Sequence, residues 1–142
     1  MSPIPPNATC PCGSGKKYKK CCRPYHIRVP VPSPEALMRS RYTAYTASNM
    51  AYIMATTHPD SKWYREDPVK WEKELTRTTG DNEYLALVIH SAPAPDDDTG
   101  EVTFTATITQ DGRDISFTEH SRFEKHNGIW KYVDGDISDA AE

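Results

Sequence analysis

The pattern of apolar and polar positions changes period once along this 142-residue chain. From Ser33 to Gly80 apolar residues recur at helical spacing, and from Tyr84 onward they alternate. Ser33-Pro34-Glu35 supplies a helix start, with serine as N-cap, proline in the first turn and an acid beside it. Leu37, Met38, Tyr42 and Tyr45 then mark one buried face. Asn49 caps a short second helix predicted to run through Thr57, before Pro59. Asp67-Pro68 opens a third helix with Trp71 and Leu75 on one side and a stop at Gly80. His58 to Glu66 is predicted as a loop bearing Trp63 and Tyr64.

Beyond Gly80, Tyr84 to His90 reads as an apolar strand. Val102, Phe104, Ala106 and Ile108 alternate with four threonines, the pattern of a half-buried strand. Asp111-Gly112 turns the chain into a third strand, Asp114 to about Glu124. Asn127-Gly128 is a type I′ hairpin signal leading into Ile129 to Asp134. Residues 93–100, with Asp96, Asp97 and Asp98, form an exposed acidic loop. Helices first and an antiparallel meander afterwards predict an α+β fold, its helices packed on one face of a curved antiparallel sheet.

Ahead of this body the pattern stops altogether. Residues 1–8 read as a proline-rich flexible or extended leader. Cys10, Cys12, Cys21 and Cys22, the four cysteines of the chain, fall within thirteen residues spaced C-x-C-x8-C-C. That stretch is too short for a core of its own, and four thiols in it call for a tetrahedral thiolate metal, with zinc as the default. Pro11 and the Gly13-Ser14-Gly15 run let the chain reverse so that both cysteine pairs reach one ion. With all four positions filled by protein the zinc is structural. Two disulfides, in any of three pairings, are the competing arrangement.

Composition adds a compartment and a charge asymmetry. Mean hydropathy is −0.73, no apolar run approaches a membrane span, and the N-terminus lacks the basic start and apolar stretch of a signal peptide. A cytoplasmic address is therefore expected, where clustered cysteines stay reduced. The net charge of −3 divides unevenly. Residues 1–28 hold six basic side chains and no acid, while the remainder holds 11 basic and 20 acidic ones. A basic module precedes an acidic body, and Val29-Pro-Val-Pro-Ser-Pro34 marks the boundary between residues 1–28 and 33–142. Such a module favours an anionic partner: a protein surface, the ribosome or RNA, contacted through Lys16, Lys17, Lys19 and Lys20.

Cys10-Pro-Cys-Gly-Ser-Gly-Lys-Lys-Tyr-Lys-Lys-Cys-Cys22 resembles the SEC-C motif. That motif ends the SecA translocation ATPase, where it binds the SecB chaperone and the ribosome. Leu37-Met-Arg-Ser-Arg-Tyr-Thr-Ala-Tyr45, Thr57-His-Pro59, Ser121-Arg-Phe123 and Gly128-Ile-Trp-Lys-Tyr-Val-Asp-Gly135 resemble the bacterial YchJ-like proteins. The resemblance implies a SEC-C module joined to a nuclear transport factor 2-like domain, a cone of bent sheet and helices. That family pattern has a histidine before the glutamate of the third strand, where this chain has Thr118.

On that third strand Ile115, Phe117, Glu119, Ser121 and Phe123 share a face, so a carboxylate is expected to point inward. A buried carboxylate needs a partner, and Arg39, Arg41, His58 and Trp63 are the candidates. Glu119 either lines a pocket or ties helix to sheet, and Arg39-Ser-Arg-Tyr42 favours the second role. His58, next to a proline at a helix end, reads as a cap or turn residue. The preferred expectation is a cytoplasmic adaptor rather than an enzyme. The alternative is a small-molecule binder or enzyme with a pocket around Glu119, and a third is plain nucleic-acid binding.

Overall fold

A computed structural model describes residues 4–139. Residues 1–3 of the expected leader and 140–142 at the end of the expected body lie outside the described residues. A 3-10 turn, Tyr18–Lys20, leads into α1, Arg23–Ile27; α2, Pro34–Thr46, α3, Met50–Ala55, and α4, Pro68–Thr79, follow. The strands are β1, Asn82–Ser91, β2, Thr99–Gln110, β3, Arg113–Asp114, β4, Phe117–His126, and β5, Ile129–Asp139. All pairings are antiparallel in the order β1-β2-β4-β5, with β3 paired to β2. Among the described residues no helix is long and apolar enough to cross a membrane.

Each long helix begins where its cap predicts. Ser33 Oγ accepts the Ala36 N–H at 3.1 Å and Asn49 Oδ1 the Tyr52 N–H at 3.1 Å. Asp67 Oδ1 accepts from Val69 and Lys70. On the sheet, Val102, Phe104, Ala106 and Ile108 are all buried. The two tight turns carry positive φ at both central residues, Asp111 (52°) with Gly112 (78°), and Asn127 (53°) with Gly128 (80°).

The expected third strand is divided. After two residues of β3 the ladder opens at Ile115-Ser116, where the Ser116 hydroxyl takes the Ile108 N–H at 3.0 Å. A side chain replaces a backbone partner there, the in-out alternation is not carried across, and Ile115 is exposed rather than buried. Phe117, Glu119, Ser121 and Phe123 do share a face beyond the opening. β5 runs five residues past its expected end because β4 supplies ladder partners as far as Phe117↔Asp139. Its outer edge is covered by the end of α3: His58 N–H bonds Tyr132 O and Tyr132 N–H bonds Thr56 O, both at 2.8 Å.

α2 packs on β1, β2 and β5. Leu37, Met38 and Tyr42 join Leu87, Val102, Phe104, Phe123 and Trp130 in the core, and Cys10, Cys12 and Cys22 belong to the same cluster. The cysteine module is thus docked rather than tethered. Val31 of the connector is itself buried in that core. Residues 5–8 of the expected flexible or extended leader are tied down too, by Tyr18 N–H to Ala8 O (2.8 Å) and Lys19 N–H to Pro6 O (3.0 Å).

Candidate metal centre and cavity

The cysteine module is a reversal held by its own backbone. Cys10 N–H bonds Lys16 O at 2.8 Å and Thr9 bridges to Lys17, while Gly13 (φ 82°) and Gly15 (φ 84°) take the left-handed turn positions. The 3-10 turn then delivers Cys21, and Cys22 caps α1. All four sulfurs lie within 4.8 Å of one another, with Cys12–Cys21 at 3.5 Å and Cys21–Cys22 at 3.9 Å. A tetrahedron of metal–sulfur bonds of about 2.3 Å has edges of about 3.8 Å, so the donor set fits a thiolate-bound ion. No pair is joined as a disulfide.

Cys10, Cys12 and Cys22 are buried and Cys21 is half-buried. Hydrogen bonds from Cys10, Cys22 and Ser14 hold the Cys12 thiol well below the usual range, against its burial. Burial pushes Cys21 up to about 11. α2 supports the site from outside. Arg39 Nη1 donates to Cys12 O at 2.7 Å and its Nε to Glu35 at 3.0 Å. Thr43 Oγ1 stands 3.6 Å from Cys10 Sγ, and the His26 ring bridges Tyr18 Oη and Ser40 O, each at 2.8 Å.

Lys16, Lys17, Lys19 and Lys20 are all exposed, as are Arg23 and Arg28. A groove of about 370 Å³ runs between the module and the start of α2, lined by Ser14, Lys16, Lys20, Glu35 and Arg39 among others.

Glu119 occupies a second, separate place. It is 8% exposed, and its Oε2 accepts from Ser121 Oγ at 2.5 Å and Tyr132 Oη at 2.9 Å. Its carboxylate rests on Gly135 across the β4–β5 ladder: a Cβ there would stand 2.6 Å from the carboxyl carbon. Arg41 lies over the Tyr132 ring, 4.7 Å from its centroid, and its Nη1 donates to Ile53 O, Thr56 Oγ1 and Thr57 Oγ1. Burial, and after it the Glu119 charge, raises the Tyr132 phenol far above its ordinary value, so it stays a donor.

These groups border a cavity of about 320 Å³ between the helices and the sheet. Of the residues nominated by sequence, Glu119, Arg41 and Trp63 line it. Arg39 and His58 do not. Arg39 sits one helical face away and serves the cysteine module. His58 is a turn residue, its Nδ1 accepting the Asp60 N–H at 3.0 Å and its ring packed on His126. Ser121 and Tyr132, the actual partners of Glu119, were not among the candidates. The available signal was Gly135, since a glycine inside a strand marks a close approach.

Residues 33–135 match the family described as YchJ, middle NTF2-like domain, and residues 7–24 match the SEC-C motif. A UPF0225 protein of Xanthomonas campestris pv. campestris (strain 8004) is 39% identical over 136 residues, covering 94% of this chain and 98% of its own. A UPF0225 protein of Deinococcus radiodurans is 40% identical over 132 residues, covering 92% and 90%. The solution structure of a SEC-C motif containing protein from Rhodopseudomonas palustris superposes with a TM-score of 0.80 at 33% identity, over 93% of this chain and all of that one. The crystal structure of a SEC-C motif containing protein from Psychrobacter arcticus shares the fold, with a TM-score of 0.72 at 23% identity over 94% of this chain and 84% of that one.

Proposed function

The chain belongs to the UPF0225 family, a SEC-C motif ahead of a YchJ-type NTF2-like domain, and from that premise we propose that it is a cytoplasmic adaptor stapled by zinc. Residues 1–28 form the docking module and residues 33–142 the body that carries it. The observation behind this reading is the division of labour within thirteen residues. Three of the four sulfurs turn into the shared core, while Lys16, Lys17, Lys19 and Lys20 all turn to solvent. Four thiolates and one Zn²⁺ leave the module net positive, and the metal fixes the lysines on a rigid support. Zinc suits the donor set because soft thiolates in a tetrahedral cluster select it over harder divalent ions.

The partner is a phosphate-rich surface, with the ribosome as its first candidate. Lysines act as point charges towards phosphate, and two of the four, Lys16 and Lys20, line a groove together with Arg39. The test is co-sedimentation with ribosomes at low salt. The wild-type chain should pellet and be released steeply as salt rises. A variant with all four lysines replaced by glutamate should stay in solution while retaining one zinc per chain by elemental analysis. Equal sedimentation of both proteins, or none of either, overturns the ribosomal reading; loss of zinc from wild type overturns the staple.

A further inference from the structure

We propose that the cavity between the helices and the sheet binds a compact, largely aromatic, uncharged small molecule that donates an N–H or O–H hydrogen bond to Glu119. The site is distinct from the cysteine module and from the lysine surface, and nothing in its argument rests on either.

Its size sets the first limit. At about 320 Å³ it lies at the small end of the roughly 300–1,000 Å³ range of small-molecule sites. Its walls set the second. Tyr42, Trp71, Tyr84, Phe104 and Phe117 present aromatic surface, which favours a flat ring by stacked and edge contacts. Trp63, half exposed in the loop after α3, stands at the mouth.

Polar groups set the third limit. Both hydrogen bonds that Glu119 receives among the described residues go to Oε2, and Oε1 receives none. An ionised carboxylate only accepts, so the open oxygen calls for a donor. Arg41 stacks on the same Tyr132 that bonds the carboxylate, which puts a cation one ring away from Glu119 without an ion pair between them among the described residues. The guanidinium's Nη1 is engaged by the end of α3, which holds that cation in place, and an uncharged ligand suffices. Tyr42 stands at the edge of the site. It is 3% exposed and lines the cavity, and its hydroxyl is the buried side-chain polar atom that finds no partner among the described residues. A buried hydroxyl without a partner is a standing cost to the fold, and this one is closed off from the cavity, so the Tyr42 ring alone meets an occupant.

The test uses the full, metal-loaded chain and a matched pair of probes, 2-naphthol and its methyl ether, 2-methoxynaphthalene. Calorimetry and amide NMR shifts read the binding. The naphthol is expected to bind saturably, one per chain, with shifts at Tyr84, Phe117 and Tyr132. The ether, which has the rings but no donor, should bind about tenfold more weakly or worse, the value of a hydrogen bond to a charged acceptor. Glu119→Gln should erase the difference between the probes while leaving the ether unchanged. Equal affinity of the two probes for wild type, shifts mapping elsewhere, or no saturation at millimolar concentration overturns the proposal. The four-lysine variant should bind naphthol as wild type does, which separates this outcome from the fate of the adaptor reading.

Discussion

At the residue scale the most constrained contact is Glu119 on Gly135. The carboxylate is fixed by Ser121 and Tyr132 and is buried, so it cannot swing away from an added methyl group. Gly135→Ala is expected to cost about 1–3 kcal/mol in urea unfolding, the usual penalty of overpacking a tight site. In a Glu119→Ala background the same substitution should cost well under that, because its obstacle is gone. Equal penalties in both backgrounds would mean that Gly135 serves its backbone rather than its neighbour. Sequence reasoning placed Glu119 on the inward face by counting twos along a strand. It did not find Tyr132, because a cross-strand partner depends on the register of β5, and that register shifts between Arg122 and Phe123.

At the element scale α2 serves two sites. Met38, Arg41, Tyr42 and Tyr45, spaced three and four apart, line the cavity. Arg39, Ser40 and Thr43, offset by one or two positions, meet the cysteine module. Arg39→Met keeps the packing of the stem but loses the bond to Cys12 O. It is expected to cost about 1–2 kcal/mol, since the carbonyl loses a charged donor, and to speed zinc loss to a chelator. Unchanged chelation kinetics would show that the module holds its ion unaided. Helix α4 makes a simpler case. Asp67 caps it with two bonds, and Asp67→Ala should lower stability by about 1 kcal/mol. The caps were legible because they are local; the opening at Ser116 was not, because it depends on a distant Ile108.

At the scale of the whole molecule the module and the body share one core. Chelating the metal should therefore lower the melting temperature of the entire chain in a single transition by calorimetry. Two separable transitions, with the second insensitive to chelator, would mean that the contact with α2 carries no cooperativity. A pH dependence follows from the buried phenols. Burial pushes Tyr42 and Tyr52 up to about 12, and burial also raises Tyr84 and Tyr132. An unfolded tyrosine ionises near 10, so above that pH the unfolded chain releases protons that the folded chain keeps. This share of stability is fully present below about pH 10 and is lost as the pH rises from 10 towards 12. Unfolding free energies across that window should decline, and Tyr132→Phe should make the decline shallower.

Whatever depends on neighbours along the chain was settled by the sequence itself: four cysteines on a glycine-hinged reversal, the capped helices, the threonine-alternating strand, the two tight turns and hence the α+β order of elements. Short-range spacing decides these, since caps, turns and alternation act within a few residues. The tertiary structure alone decided that the proline-rich connector docks the module instead of freeing it. It also parted Arg39 from Arg41, and left Glu119 and Tyr42 bordering one cavity. Each of these depends on where one element's side chains meet another's. Such meetings are fixed by packing across long sequence separations, where a single register shift or the rotation of a helix face changes the partner.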